Sequence, residues 1–285
     1  MAGSGLKEVD RRIKSVKNTQ QITRAMKMVA AAKLRKAEIR AKQARDYSEE
    51  IRSITRRAVS KGTGHPLLGK RDVVHRGFIV ITSSRGLAGP YNANILRHAS
   101  LKIQEAGGKD PGVFAVGRKG RDYFLHRRVS ILQEFLGIGD EPTFHQARAI
   151  AQEILRHFLD HRVDEVWLSY TKFINPLNHQ VESIRLLPVE EPLSDDPSMQ
   201  RSYVFEPDTQ TVFQDLLPRY VEVLIYSALL ESKASEHGAR MTAMDSASKN
   251  ADELIRRMVL MRNRLRQAAI TKEIAELVSG AEALK

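Results

Sequence analysis

Apolar and small residues recur on an alternating three-and-four step at both ends of this chain. Near the N-terminus the step runs Leu6, Val9, Ile13, Val16, Gln20, Thr23, Met26, Ala30, Leu34, Ala37, Ala41, Ala44, Ser48, Ile51. No glycine or proline falls between Leu6 and Ser60, and Ala, Lys, Arg and Glu, all good helix formers, dominate. From Arg219 to Leu284 no proline occurs, and Met244, Ala247, Ala251, Leu254, Met258, Met261, Leu265 and Ala268 repeat the step, which resumes at Ala275. Such spacing is the seam of a coiled coil, and a seam needs a second helix. At about 1.5 Å per residue the two stretches predict rods of roughly 80 and 100 Å. Each end of the chain is the only partner of sufficient length for the other, so the expected pairing is antiparallel. The seam is rich in alanine, which lets two axes approach closely but buries little area per layer. A slender, weakly packed pair of this kind needs something around it.

Between the rods the period changes. Phe78–Thr82, Val113–Val116, Val129–Phe135, Val163–Tyr170 and Val181–Leu187 read as strands. They alternate with helices near Asn92–Glu105, through Tyr123, and over Thr143–Leu159, the last with Pro142 as a start signal. Alternation of strand and helix predicts a mainly parallel sheet covered by helices. Lys61–Lys70 breaks the first rod with glycines and Pro66, and Pro188–Pro207 reads as a loop or hairpin before the last helix. The fold class is therefore α/β plus long helices: an antiparallel two-helix coiled coil from the terminal segments with a central Rossmann-like α/β head domain. The expected domains are residues 1–60, 61–207 and 208–285.

Charge adds direction to this picture. The 285 residues carry a net charge of +12, and residues 1–60 hold 16 Lys and Arg against 6 Asp and Glu, whereas the last 78 residues balance. A basic N-terminal helix points to nucleic acid, an anionic membrane surface or an acidic protein partner. Residues 1–46 contain no aromatic side chain, which weakens the nucleic-acid reading, since base stacking normally needs one. No apolar run approaches the roughly 18 residues of a membrane span, and the N-terminus lacks the apolar core of a secretory signal. The absence of cysteine excludes disulfides, thiolate metal sites and cysteine nucleophiles, and fits residence in the cytoplasm.

Candidate chemistry is sparse. Ser83-Ser84-Arg85-Gly86-Leu87-Ala88-Gly89 follows a strand and precedes a helix, where backbone N–H groups and Arg85 could hold a phosphate. It is neither a Walker loop nor a three-glycine dinucleotide fingerprint, and any α/β fold needs a tight turn there. His157 and His161 share a helix spacing with Asp160 beside them, which suits a solvated helix end better than a metal site. The acidic pairs Glu190-Glu191 and Asp195-Asp196 lie in the proline-rich segment. No set of nucleophile, base and acid assembles, no nucleophile elbow is present, and no cofactor is implied.

Two terminal motifs are specific. Ile22-Thr23-Arg24-Ala25-Met26-Lys27-Met28-Val29-Ala30-Ala31 and Ala239-Arg240-Met241-Thr242-Ala243-Met244 closely resemble the gamma subunits of F-type ATP synthases. So do Arg266-Gln267-Ala268-Ala269-Ile270-Thr271-Lys272-Glu273, Gly280-Ala281-Glu282-Ala283-Leu284, the central Arg85-Gly86-Leu87 with Tyr91-Asn92, and Leu216-Leu217-Pro218-Arg219-Tyr220. The likeness runs collinearly over essentially the whole chain. Ser84, Ala88 and Pro90 depart from the aspartate, cysteine and glycine usual in that family, and all three touch the strand-end turn.

The resemblance implies a rotor shaft without catalytic residues of its own. Its coiled coil would stand within a ring of alpha and beta subunits, and its head would sit with the epsilon subunit on the c-ring. The place implied is the cytoplasmic face of a bacterial cell membrane, peripherally bound, with no nucleic-acid partner. By the same likeness, Arg266 and Gln267 match the pair that bonds a catch loop of beta. Met26 and Lys27 match the neck facing beta's acidic lever, and Tyr203 and Glu206 match positions near the c-ring. The alternative reading is a basic coiled-coil nucleic-acid-binding protein with an α/β head.

Overall fold

A computed structural model describes residues 2–59, 65–69, 71–106, 111–189 and 209–282. Helix α1 spans Ala2–Val59 and helix α5 spans Thr209–Glu282. The chain divides into two compact units, Met1–Ala30 with Met241–Lys285 and Ala31–Arg240, so each long helix contributes to both.

In the first unit α1 and α5 pair antiparallel. Asp10 meets Arg262 at 3.7 Å, Gln20 meets Asp252, Thr23 meets Ser248 and Lys27 meets Asp245, the number falling on one helix as it rises on the other. Every α1 position from the three-and-four step is buried or half-buried, in whichever unit it falls. The α5 seam is displaced from the expected one. Leu254 and Met261 remain 42% and 54% exposed, while Ser248, Ile255 and Arg262 take inward or flanking positions with Met244, Ala251, Met258 and Leu265. The steps are still three and four, but two of the seven positions, Ser248 and Arg262, are polar. Hydrogen bonding to Thr23 places Ser248 on the seam, and the apolar Leu254 and Met261 are left facing outward.

The second unit is a three-layer α/β structure built on strands β1 (Arg76–Ile81), β2 (Gly112–Val116), β3 (Ser130–Phe135), β4 (Glu165–Phe173) and β5 (His179–Leu187). Their order is β3-β2-β1-β4-β5, parallel except for β5, which returns antiparallel beside β4. Alternate residues of β1 face opposite layers. Phe78 and Val80 pack with Ile95, Leu96 and Ala99 of helix α2 (Tyr91–Glu105) and Phe124 of helix α3 (Arg118–His126). Ile79 and Ile81 pack with Ile150 and Ile154 of helix α4 (Phe144–Leu159) and with Leu224, Ile225 and Ala228 of α5. Burial on both faces is why these strands read as unbroken apolar runs. Each such side chain contributes about 1.5–3 kcal/mol by leaving water.

Local signals explain the element ends. Thr143 caps α4 by accepting from the Gln146 backbone N–H, and Gln146 answers through its side chain, a complete capping box. Gly117 follows β2 at φ 96°, and a Cβ there would lie 2.3 Å from the Thr82 carbonyl oxygen, so no other residue fits. Helix α5 begins at Thr209, next to the expected start at 208, and carries Pro218 inside it ahead of the proline-free stretch from Arg219. Proline removes one helix hydrogen bond, but Phe213 and Leu217 are both fully buried in the core, and their burial holds the extra turns in place.

The two α5 glycines differ in kind. A Cβ on Gly238 would meet His179 at 2.9 Å and the Pro176 carbonyl oxygen at 3.3 Å, whereas one on Gly280 would meet nothing. Gly238→Ala is expected to lower stability by about 1–2 kcal/mol through this crowding, despite alanine's better helix propensity. Gly280→Ala should be neutral or stabilising by up to about 1 kcal/mol. Thermal melts of the two variants side by side check this, and equal melting temperatures would contradict it.

Candidate interaction surfaces and the strand-end turn

Polar groups zip the neck of the first unit. The Gln20 side-chain amide donates to Asp252 Oδ1 at 2.9 Å, and the hydroxyls of Thr23 and Ser248 lie 2.7 Å apart in a buried contact. Lys27 Nζ donates to Asp245 Oδ1 at 2.6 Å, and Lys249 reaches Oδ2 of the same carboxylate at 2.8 Å. Hydrogen bonds from Lys249 and Lys27 hold the Asp245 carboxyl down at about 2, below its ordinary 3.8. A depressed carboxyl favours the folded form above its unfolded value, so this tie is intact at neutral pH and is lost only as pH falls toward 2. Lys27 is thus half-exposed but not free: it bridges to α5 within its own chain. Met26 beside it is half-buried.

Further along α5, Arg266 and Gln267 are both exposed. Among the described residues Arg266 makes no ion pair. Past them Ile270, Ile274, Leu277 and Val278 are exposed at steps of four, three and one, which places them on one helix face. Leu277 is 73% accessible. On α1, Ile22, Met28 and Val29 are likewise exposed. This unit therefore sets hydrogen bonds among the apolar contacts between its helices and leaves several apolar side chains on its outside. Tyr203 and Glu206 lie outside the described residues, as do the two acidic pairs of the proline-rich segment.

In the second unit the Ser83–Gly89 turn is bound up with its own chain. Ser83 N–H donates to Asn92 Oδ1 at 3.0 Å, the Ser83 hydroxyl donates to the Arg85 carbonyl at 2.5 Å, and the Asn92 amide donates back to Ser83 Oγ. Arg240 of α5 donates to the Gly86 carbonyl at 3.2 Å, and Arg85 lies 3.7 Å from Asp140. The strand order reverses between β1 and β4, and open α/β sheets hold ligands at the carboxyl ends of the strands there. That crevice is filled by α5. Ser232 Oγ accepts from Thr171 N–H, Glu231 accepts from Phe173 N–H at 3.2 Å, and Tyr91 packs with Ala88 and Ala239. Burial, with Glu236 nearby, pushes the Tyr91 hydroxyl well above its usual range. The turn serves to seat a helix.

Two buried acids on α5 stabilise that seating. Glu231 accepts from Arg45 of α1 at 3.0 Å, and Arg45 also donates to the Phe173 carbonyl at 2.9 Å. Burial alone would raise the Glu236 carboxyl, but Lys233 at 2.9 Å and Arg240 at 2.7 Å hold it below its ordinary value. These groups escaped the sequence reading. The signal was present in the spacing of Glu231, Lys233, Glu236 and Arg240, which sets ion pairs on one helical stretch otherwise dominated by apolar and small residues. The two histidines separate: His157 is buried edge-on to Phe114, while His161 meets Arg71 at 3.1 Å. Among the described residues no cluster of metal-ligating side chains occurs.

The fold combines a unit of two long antiparallel helices with a three-layer α/β unit, and that combination defines the class of protein. A family model described as ATP synthase matches residues 5–284. The ATP synthase gamma chain of Desulforamulus reducens is 47% identical over 281 residues, covering 98% of this chain and 99% of that protein. That of Moorella thermoacetica is 48% identical over 283 residues with the same coverage. Among solved structures, the central stalk of the Tetrahymena thermophila mitochondrial ATP synthase matches with a TM-score of 0.62 at 26% identity, over 80% of this chain and 99% of that one. A chain of the Euglena gracilis mitochondrial ATP synthase shares the fold at TM-score 0.73 and 18% identity, over 99% and 95%. The chain belongs to the ATP synthase gamma-chain family, and its role is that of the central-stalk subunit of an F-type ATP synthase. The nucleic-acid reading of its basic helix finds no support in these relationships.

Glu231→Ala should leave Arg45 half-buried without its carboxylate and the Phe173 N–H without an acceptor. Because Arg45 keeps partial access to water, the expected loss is about 2 kcal/mol, less than for a fully buried pair. Chemical denaturation of the full chain measures it, and an unchanged midpoint would refute the role given to this pair.

Proposed function

We propose that the chain is a non-catalytic rotating shaft that couples ion flow through a c-ring to ATP synthesis and hydrolysis in an alpha–beta ring. The observation that carries this reading is the set of apolar side chains left exposed on the first unit, Ile22, Met28 and Val29 on α1 and Ile270, Ile274, Leu277 and Val278 on α5. Exposed faces of this kind gain by about 25 cal/mol per Å² when another protein covers them. A two-helix shaft cannot match three-fold symmetry, so three sites around it meet different faces. A contact difference of about 1.4 kcal/mol then gives a tenfold difference in affinity.

In this reading residues 1–60 and 208–285 are the shaft and 61–207 the head. The head stands with epsilon on the c-ring, as the stalk and c-ring assemblies of the Tetrahymena and Euglena enzymes suggest. The complex lies on the cytoplasmic face of a bacterial membrane. No helix among the described residues is long and apolar enough to cross one, which suits peripheral attachment. Arg266 and Gln267, exposed on α5, bond a catch loop of beta. Met26 and Lys27 face its acidic lever, and Tyr203 and Glu206 meet the c-ring. The filled switch-point crevice supports the absence of a nucleotide site and cofactor in the head.

Two variants test the assignments. Arg266→Ala with Gln267→Ala should reduce ATP-driven ion pumping by about tenfold, the loss of roughly 1.4 kcal/mol of contact, while leaving helix content intact; normal pumping would remove these residues from the interface. Met26→Lys adds a cation beside the Lys27–Asp245–Lys249 cluster and should lower ions pumped per ATP hydrolysed. An unchanged ratio in membrane vesicles would count against the neck assignment.

A further inference from the structure

Within the second unit a cavity of about 260 Å³ lies between α1, α5 and the connection from β3 to α4. Its size falls just below the range of pockets that hold drug-sized ligands. Ala37, Pro142 and Leu230, all buried, supply apolar wall. The charged lining is Lys33, Lys36, Arg40 and Lys233 against Asp140 and Glu141, and Lys233 is itself paired with buried Glu236 at 2.9 Å, so one positive charge is left without a partner among the described residues. Asp140 is already engaged by Lys33 at 2.7 Å and Arg85 at 3.7 Å, and Glu141 by Arg40 at 2.8 Å. Lys36 makes no ion pair among the described residues. The Lys233 side chain is only 10% accessible, so its charge acts in a medium less screened than water. Apolar wall with one cation lacking an ion pair among three that are paired is the composition of a small-ligand site and not of a solvated basic face.

We propose that this cavity binds a compact amphiphilic anion, a phosphate or carboxylate group carried on a small apolar body. The apolar part lies against Leu230, Ala37 and Pro142, and the anionic group meets Lys36. Bound there, it ties α1 to the β3–α4 connection and to α5 in the unit that contains all three. A nucleoside triphosphate is too large for the space, and a bare anion leaves the apolar wall uncovered.

The probe is phenyl phosphate, titrated calorimetrically into the full chain and into the assembled complex, with inorganic phosphate and benzyl alcohol as controls. Lys36→Glu removes the unpaired cation from an exposed position that does not support the fold, and Lys42→Glu, exposed elsewhere on α1, is the matched control. The expected result is phenyl phosphate binding that weakens at least about tenfold in Lys36→Glu, stays within about twofold in Lys42→Glu, and exceeds binding of both controls. Absence of binding, equal weakening in the two variants, or equally tight inorganic phosphate would each overturn the proposal. So would Lys36-dependent binding that vanishes on assembly, because a partner's acidic side chain would then be the occupant.

Discussion

The constraint on which the rest of the second unit depends is that one helix fills the crevice a doubly wound sheet leaves at its switch point. From Val221 to Ala239 nearly every α5 residue is buried, whichever way it points. A helix buried all round is normally apolar, yet this one carries Glu222, Glu231, Lys233, Glu236 and His237. Each carboxylate there has a cation: Arg148 for Glu222, Arg45 for Glu231, Lys233 and Arg240 for Glu236. Buried pairs of this sort add little net stability over apolar packing, but breaking one is costly. They fix which way the helix is turned and how far it is inserted. Gly238 completes the fit where the backbone of Pro176 and the ring of His179 come too close for any side chain.

The first unit follows a different rule. Its helices meet through small and apolar side chains such as Val9, Ile13, Ala30, Met244 and Ala251, interspersed with hydroxyls, an amide and one aspartate held between two lysines, while several further leucine, isoleucine and methionine side chains stand outside. Hydrogen bonds across a seam specify register more than they stabilise, since each contributes only about 1 kcal/mol net. The pair is therefore well aligned and thinly packed. A helix pair of this kind leaves part of its apolar surface for a surrounding protein, which is what a shaft within a sleeve requires.

Much of this was legible in the residues. The α1 step predicted the buried face at every position because small seam residues have no other reason to recur so regularly. The strands were legible because burial on both sides writes a continuous apolar run, as in Phe78–Ile81. The α5 seam was half misread, because Leu254 and Met261 are apolar for a face that this chain does not cover. A single sequence cannot tell such a residue from a core one. Pro218 falls inside the helix expected from 208, and the burial of Phe213 and Leu217 in the core holds the turns before it. The Ser83–Gly89 turn read as a structural turn, but its partner Arg240 was not legible, lying 154 positions away.

The central claim is that this chain turns as a body within a ring that stays still. The absence of cysteine makes a direct measurement clean, because Lys119→Cys places a single thiol on an exposed position of the head. With the alpha–beta ring fixed to a surface and a bead on that thiol, ATP should drive stepwise rotation in one direction, in three equal steps per turn. A bead that stays still while the same complexes hydrolyse ATP would contradict the account.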